Sequence, residues 1–275
     1  MSATSATSAT GAESGTSAVR WTDSHCHIYD PRHPDGVDGV LAAARAAGVA
    51  TMVVVGCDAA TSASAIELAS EHDDVWATVG LHPHEARFGV DTILGLLGDG
   101  ARRDVVVAVG ETGLDYFYDH SPRETQRAAF ARQIELAHEL ELPLVVHTRD
   151  AWDDTFDVLA GVGTPEQTIF HCFTGGPAQA TRALDLGAFL SFSGIVTFSS
   201  AVEVHEAARL CPIERLLVET DSPYLAPHPH RGRPNQPAYV AAVGAAIADL
   251  KELTTQRVAE VTSANARVAF PLLNT

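Results

Sequence analysis

Eight times along this chain a short run rich in Val, Ile, Leu and Ala is followed by a stretch whose apolar residues recur at helical spacing. That alternation constrains the fold more than any other feature. The runs are Trp21–His27, Thr51–Val55, Val75–Val79, Val105–Val109, Leu144–His147, Thr168–His171, Ala188–Phe192 and Arg215–Glu219. Helices are expected at Val37–Ala47, closed by Gly48, and at Thr61–Glu71, capped by Asp58. Others follow at Thr92–Leu97, Trp152–Leu159, Pro177–Leu186 and Ala201–Leu210. A further helix opens with Ser121 as cap, Pro122 in the first turn and Glu124 as capping-box acid, and carries Phe130, Ile134, Ala137 and Leu140 on one face. A Pro-rich loop, Ser222–Pro237, precedes two last helices at Ala238–Leu250 and Thr254–Phe270. Short apolar strands alternating with helices are buried on both faces in a parallel sheet, and eight such units favour a single (β/α)8 TIM barrel over an open doubly wound sheet. No G-x-G-x-x-G follows a strand, and no Walker phosphate loop is present.

The length of 275 residues suits one barrel domain. We place that domain at residues 19–275, behind a Ser/Ala/Thr-rich segment, residues 1–18, that reads as a disordered tail and not a signal peptide. Formal net charge is −17, the opposite of a protein that holds nucleic acid through a Lys/Arg surface, so a phosphate-bearing substrate must be attracted locally. Cys26, Cys57, Cys172 and Cys211 form no C-x-x-C pair and read as buried thiols of a reducing, cytoplasmic protein. No apolar run approaches a membrane span, so no membrane partner is expected. A monomer is expected.

Side chains alternate along a strand, so His25 and His27 project together while Cys26 faces away. In a barrel, the strand C-termini converge on one mouth. His25, His27, Glu111, His147, His171 and Asp221 all fall at or just beyond strand ends. Each alone has a structural explanation, but six metal-competent groups on one rim point to a metal site there. Imidazoles and carboxylates suit divalent Zn, Mn or Mg, and a carboxylate can bridge two such ions, which lower the pKa of a water and neutralise a phosphodiester. Asp221 is placed both to ligate and to accept the water's proton. Glu111 is the bridging candidate, because the chain's one lysine, Lys251, lies in a C-terminal helix remote from the rim and cannot supply a carboxylated bridge. That absence argues against phosphotriesterase-like and dihydroorotase-like barrels.

The motifs Asp23-Ser24-His25-Cys26-His27, Gly80-Leu81-His82-Pro83, Gly110-Glu111-Thr112-Gly113-Leu114-Asp115, Val146-His147-Thr148-Arg149, His171-Cys172-Phe173-Thr174-Gly175 and Glu219-Thr220-Asp221-Ser222-Pro223-Tyr224 together resemble the TatD family of metal-dependent deoxyribonucleases, over about Thr22 to Phe270. The resemblance implies that His25, His27 and Asp221 hold one metal, His147 and His171 a second, and that Glu111 bridges them. It also implies a 3′–5′ exonuclease acting on single-stranded DNA ends. One departure is Asn235-Gln236-Pro237, where the family commonly carries Asn-Glu-Pro. Two other functions fit the residues: an amidohydrolase acting on a small amide, lactone or aminoacyl ester, and a non-catalytic metal-binding protein.

For substrate binding the sequence offers His82, after the third strand, and Arg149, Arg231 and Arg233 on rim loops, with forked donors for phosphate. Tyr116, Phe117, Phe173 and Tyr224 are the aromatic residues available to stack on bases, with core packing expected for at least two. His33, His72, His120, His138 and His205 are given no role.

Overall fold

The computed structural model describes residues 19–98 and 104–274; the expected tail, residues 1–18, lies outside the described residues. Eight strands run in parallel in the order of the sequence: β1 (Trp21–Cys26), β2 (Val49–Val55), β3 (Val75–Val79), β4 (Val106–Asp115), β5 (Leu144–Arg149), β6 (Thr168–Phe170), β7 (Phe189–Phe192) and β8 (Leu216–Val218). Hydrogen bonds from Asp221 N to His25 O (2.9 Å) and from His27 N to Ser222 O (2.8 Å) join the end of β1 to the chain leaving β8, and close the barrel at its mouth. The eight-unit reading and the strand positions agree with the structure to within a few residues at all strands but one.

The helices are α1 (Gly36–Ala46), α2 (Ala59–Glu71), α3 (Asp91–Gly98), α4 (Arg123–Leu140), α5 (Trp152–Val162), α6 (Pro177–Asp185), α7 (Val202–Leu210), α8 (Val240–Lys251) and α9 (Thr255–Ala269). No helix is long and apolar enough to cross a membrane among the described residues. Asp58 caps α2 as expected, its Oδ1 accepting from Thr61 N at 2.7 Å. Ser121 does not cap α4, whose N-cap is Pro122. Its hydroxyl instead donates to His84 O (2.8 Å) and accepts from Arg87 N (3.1 Å), which fixes the loop leaving β3.

Along each strand, alternate side chains enter two packed layers. Met52 and Val54 of β2 pack outward beneath the helices, while Val53 and Val55 point into the barrel with Val107, Val145, Ile169, Phe189 and Leu217. These inward residues sit mostly near strand N-termini, where Ala266, Ala269 and Phe270 at the end of α9 join them and plug the bottom. The plug leaves the C-terminal mouth as the open end.

The strand that differs from expectation is β4, which runs to Asp115 and not to Val109. Its pairing to β5 slips between Val109 and Thr112, then resumes through Gly113, Leu114 and Asp115 against His147, Thr148 and Arg149. Gly110 and Gly113 break the alternation in the sequence, yet they allow the strand to continue. Gly113 has φ +133°, and a Cβ there would lie 2.0 Å from His147 O. This irregular stretch carries Glu111.

Candidate active site

Glu111 is buried, 4% exposed, and its two oxygens face different neighbours. Oε1 lies 2.8 Å from His171 Nε2 and 3.0 Å from His147 Nδ1. Oε2 lies 3.4 Å from His25 Nε2 and 3.9 Å from His27 Nε2. Asp221 Oδ1 stands 3.4 Å from His27 Nε2 and 3.8 Å from His25 Nε2, on the same side as Oε2. All six rim residues singled out in the sequence therefore converge. They form two lobes, one of His25, His27 and Asp221 and one of His147 and His171, with Glu111 between.

Each element delivers its group for a local reason. β1 alternation sends His25 and His27 inward and turns Cys26 into the core, where its thiol donates to Val53 O. Asp221 follows β8 in the left-handed region (φ +53°), held by the hydrogen bond its backbone N–H donates to His25 O. Asp23 is fully buried and accepts from Thr220 N at 2.9 Å and from the Thr220 hydroxyl, which positions the start of that turn. Burial pushes its carboxyl up to about 8. Asn235 donates to Thr220 O at 2.7 Å and receives Gln236 N on its Oδ1 at 2.9 Å. The loop is thus clamped by the amide that matches the family pattern; the altered residue, Gln236, contributes its backbone.

The outer nitrogens decide which imidazoles can ligate. His27 Nδ1 lies 3.2 Å from Val55 O, His171 Nδ1 lies 3.3 Å from Glu219 Oε1, and His147 Nε2 lies 3.3 Å from Asp115 Oδ2. Each outer nitrogen faces an acceptor and so carries the proton, which leaves a lone pair on the nitrogen facing Glu111 or Asp221. The inward nitrogens are also spaced as ligands. His25 Nε2 to His27 Nε2 and His147 Nδ1 to His171 Nε2 are each 3.3 Å, close to the ~3.3 Å edge of a tetrahedron with metal–nitrogen bonds of about 2.0–2.1 Å. His82 differs. Its Nδ1 accepts from His84 N at 3.1 Å, so its proton sits on Nε2, 3.4 Å from Glu111 Oε1. It is built as a donor.

Electrostatics point the same way. Glu111, Asp115, Glu219 and Asp221 bring four carboxyl groups into one buried cluster. Burial opposes ionisation of Glu111, yet the imidazoles of His171, His82 and His147 hold it well below the usual carboxylate range. Burial lowers His25, with His171 adding, and pushes His82 down to about 4. Burial would also lower His27, His147 and His171, but Asp221 and Glu111, Asp115 and Glu111, and Glu111 and Glu219 respectively raise them. These carboxylates favour positive charge at the imidazoles, and divalent cations would supply that charge while leaving each inward nitrogen its lone pair. The donor set fits metal ions.

A cavity of about 870 Å³ opens over the cluster. Its wall includes His82 and Arg149, the latter stacked over Phe117 (3.9 Å) and Tyr118 (4.9 Å). Arg231 and Arg233 are exposed and lie off this wall, and Arg231 stacks on Phe198 instead. Of the four aromatic residues, Phe173 is core, packed against Trp152 and Phe192, and Tyr116 is tied to Asp154 by its hydroxyl (2.6 Å). Phe117 and Tyr224 are exposed. Cys57 and Cys172 are not the buried thiols expected; both line the cavity, and Cys57 donates to Glu111 Oε2 at 3.6 Å.

Sequence reasoning gave no role to Asp115, Glu219 or His84. Asp115 Oδ2 receives His147 and, at 3.0 Å, His84 Nε2, while Glu219 Oε1 receives His171 and, at 2.7 Å, Cys172 N. Strand alternation was the available signal, since Glu219 and Asp221 share a parity, as do Glu111, Gly113 and Asp115.

A sequence model of the TatD related DNase family matches residues 22–271. The uncharacterized metal-dependent hydrolase YabD of Bacillus subtilis is 39% identical over 249 residues, 90% of this chain and 98% of that protein. A Klebsiella pneumoniae protein named 3′-5′ ssDNA/RNA exonuclease TatD is 37% identical over 239 residues, 85% of this chain and 91% of that one. The crystal structure of YjjV, a TatD homologue from Escherichia coli, superposes with a TM-score of 0.85 at 30% identity, covering 92% of this chain and 98% of that one. With the rim cluster intact and the match running through the whole barrel, the chain belongs to the TatD related DNase family of metal-dependent hydrolases.

Proposed function

We propose that this hydrolase removes nucleotides from the 3′ end of single-stranded DNA, with two divalent ions held by the two lobes. The observation that carries the reading is the division of Glu111, whose Oε1 serves His147 and His171 and whose Oε2 serves His25 and His27. His25, His27 and Asp221 would hold one ion, His147 and His171 the other, and Glu111 would bridge. Two ions so held would supply a water acidic enough to attack at neutral pH and would neutralise the non-bridging oxygens of a phosphodiester. The donor chemistry suits Zn, Mn or Mg.

The chain's own groups supply the remainder. Asp221, with 14% of its side chain exposed, is reachable from the cavity and accepts the proton of the attacking water. His82, neutral and protonated on Nε2, donates to the phosphate as charge builds there. Arg149 brings a fixed cation to the wall of an otherwise acidic cavity. Arg231 and Arg233 would meet only a strand that extends past the rim. The Klebsiella relative's name, a 3′-5′ ssDNA/RNA exonuclease, agrees with this polarity and substrate.

The test is a time course on 5′-labelled single-stranded DNA with Mg²⁺, Mn²⁺ or EDTA, beside Glu111→Ala and His147→Ala. A metal-dependent ladder shortening from the 3′ end and lost in both variants is the expected result. DNA left whole under every metal, or cut equally by the variants, rejects the reading.

A further inference from the structure

The cavity wall is acidic. Seven Asp and Glu residues line it with one arginine and no lysine among the described residues. That arginine, Arg149, has no carboxylate partner among the described residues. Its guanidinium is spread instead over Phe117 at 3.9 Å and Tyr118 at 4.9 Å. Both rings are large apolar groups left 55% and 50% exposed. The two rings meet edge to face at 4.8 Å, and His120 stacks behind Tyr118 at 5.5 Å. Tyr118 and Arg149 lie on the cavity wall with Glu111 and Asp221, and Phe117 packs against both Arg149 and Tyr118.

The ledge is rigid for a reason that links it to the chemistry. Asp115 Oδ1 accepts the amides of Phe117 (3.0 Å) and Tyr118 (2.9 Å), while its Oδ2 faces His147 Nε2. One carboxylate therefore fixes both the aromatic pair and an imidazole of the hydrolytic cluster. Elsewhere on the rim, Tyr224 also carries a guanidinium, Arg32 at 4.1 Å, but Arg32 is neutralised by two hydrogen bonds to Asp30. Among the described residues that line the cavity, Arg149 is the one cation stacked on an exposed ring without a carboxylate partner. A single-stranded nucleic acid offers bases free to stack on such rings and phosphates that an arginine can bind, whereas a duplex keeps its bases stacked on each other.

We propose that Phe117, Tyr118 and Arg149 form a base-stacking ledge that seats the terminal bases of a single DNA strand beside the hydrolytic cluster. The proposal rests on the phosphodiesterase reading above and assigns its preference for single strands to these three residues. Stacking of one base on an aromatic side chain is worth roughly a 5- to 150-fold change in affinity.

The experiment compares a 5′-labelled oligonucleotide, the same strand with abasic sites at its last two 3′ positions, and bis(4-nitrophenyl) phosphate, a phosphodiester without bases. Wild type is run beside the F117A/Y118A double variant. We expect wild type to lose about 10- to 100-fold in kcat/KM on the abasic strand. The variant should lose as much on the normal strand, no more on the abasic one, and keep the bis(4-nitrophenyl) phosphate rate within about twofold. A fluorescent strand with phosphorothioate linkages should show the same loss as a rise in Kd by anisotropy. Equal rates of wild type on normal and abasic strands, a variant that loses equally on all three substrates, or an unchanged Kd would overturn the ledge. Hydrolysis of the small diester with no such discrimination rejects the ledge alone, whereas no hydrolysis of any of the three rejects the phosphodiesterase reading and the ledge with it.

Discussion

Replacing Asp115 by Asn changes one atom of a side chain that touches no substrate, and the consequence should appear in metal affinity. Asp115 is 1% exposed, and burial opposes its ionisation. Hydrogen bonds from His147, His84 and the Tyr118 amide nevertheless hold it below the ordinary range. In the variant the amide oxygen can stay under the Phe117 and Tyr118 amides, because Oδ1 is the atom they use. The new NH2 group then faces His147 Nε2 from 3.3 Å and His84 Nε2 from 3.0 Å, and can only donate. His147 must present a lone pair at Nε2 and carry its proton on Nδ1, the atom 3.0 Å from Glu111 Oε1 that should face an ion. Loss of such a partner typically costs 10- to 100-fold in metal affinity, about 1.4–2.7 kcal/mol. Isothermal titration of the metal-free protein with Mn²⁺ should show one of two sites weakened by that factor and the other unmoved, with thermal stability within a few degrees of wild type. A Kd within threefold of wild type at both sites would refute the tautomer argument.

The barrel plug and the surface give two more tests. Phe270 is fully buried where α9 closes the bottom of the barrel, so Phe270→Ala should cost about 3–5 kcal/mol in urea unfolding while leaving the mouth and its metal affinity intact; a loss under 1 kcal/mol would mean that the plug repacks freely. Arg45 holds Asp74 by two hydrogen bonds of 2.8 and 2.7 Å on the surface and keeps its carboxyl below the ordinary range. The folded value lies below the unfolded one of about 3.9, so the pair stabilises above that pH and its contribution fades as pH falls through the folded value. Asp74→Asn should therefore cost at most about 1 kcal/mol at pH 7 and progressively less on acidification, read from paired denaturation curves; a difference that grows on acidification would contradict the assignment.

The sequence by itself determined the number and order of the β/α units, and the six metal-competent residues that converge at the barrel mouth. It could do so because each rests on a local rule. Strand alternation turns His25 and His27 one way and Cys26 the other, and a parallel barrel must bring strand C-termini together. The one strand misplaced, β4, broke its own period at Gly110 and Gly113, where only contact with β5 explains why the chain stays extended. Likewise Ser121 reads as a helix cap until the β3 loop is seen to take its hydroxyl.

Tertiary structure alone decided which arginine faces the cavity and what each imidazole can do. Arg149, Arg231 and Arg233 are equivalent as rim-loop cations in the sequence, but the fold sends only Arg149 to the wall. His82 and His147 both lie 3.4 Å or closer to Glu111 Oε1, yet one is built to donate and the other is free to ligate. The difference lies in the group behind the ring: a backbone amide behind His82 Nδ1, and the Asp115 carboxylate behind His147 Nε2. A histidine's tautomer is set by its second hydrogen-bond partner, and for His147 that partner is 32 residues away in the chain. Residue type and spacing can assemble such a site, but only the folded contacts assign the protons within it.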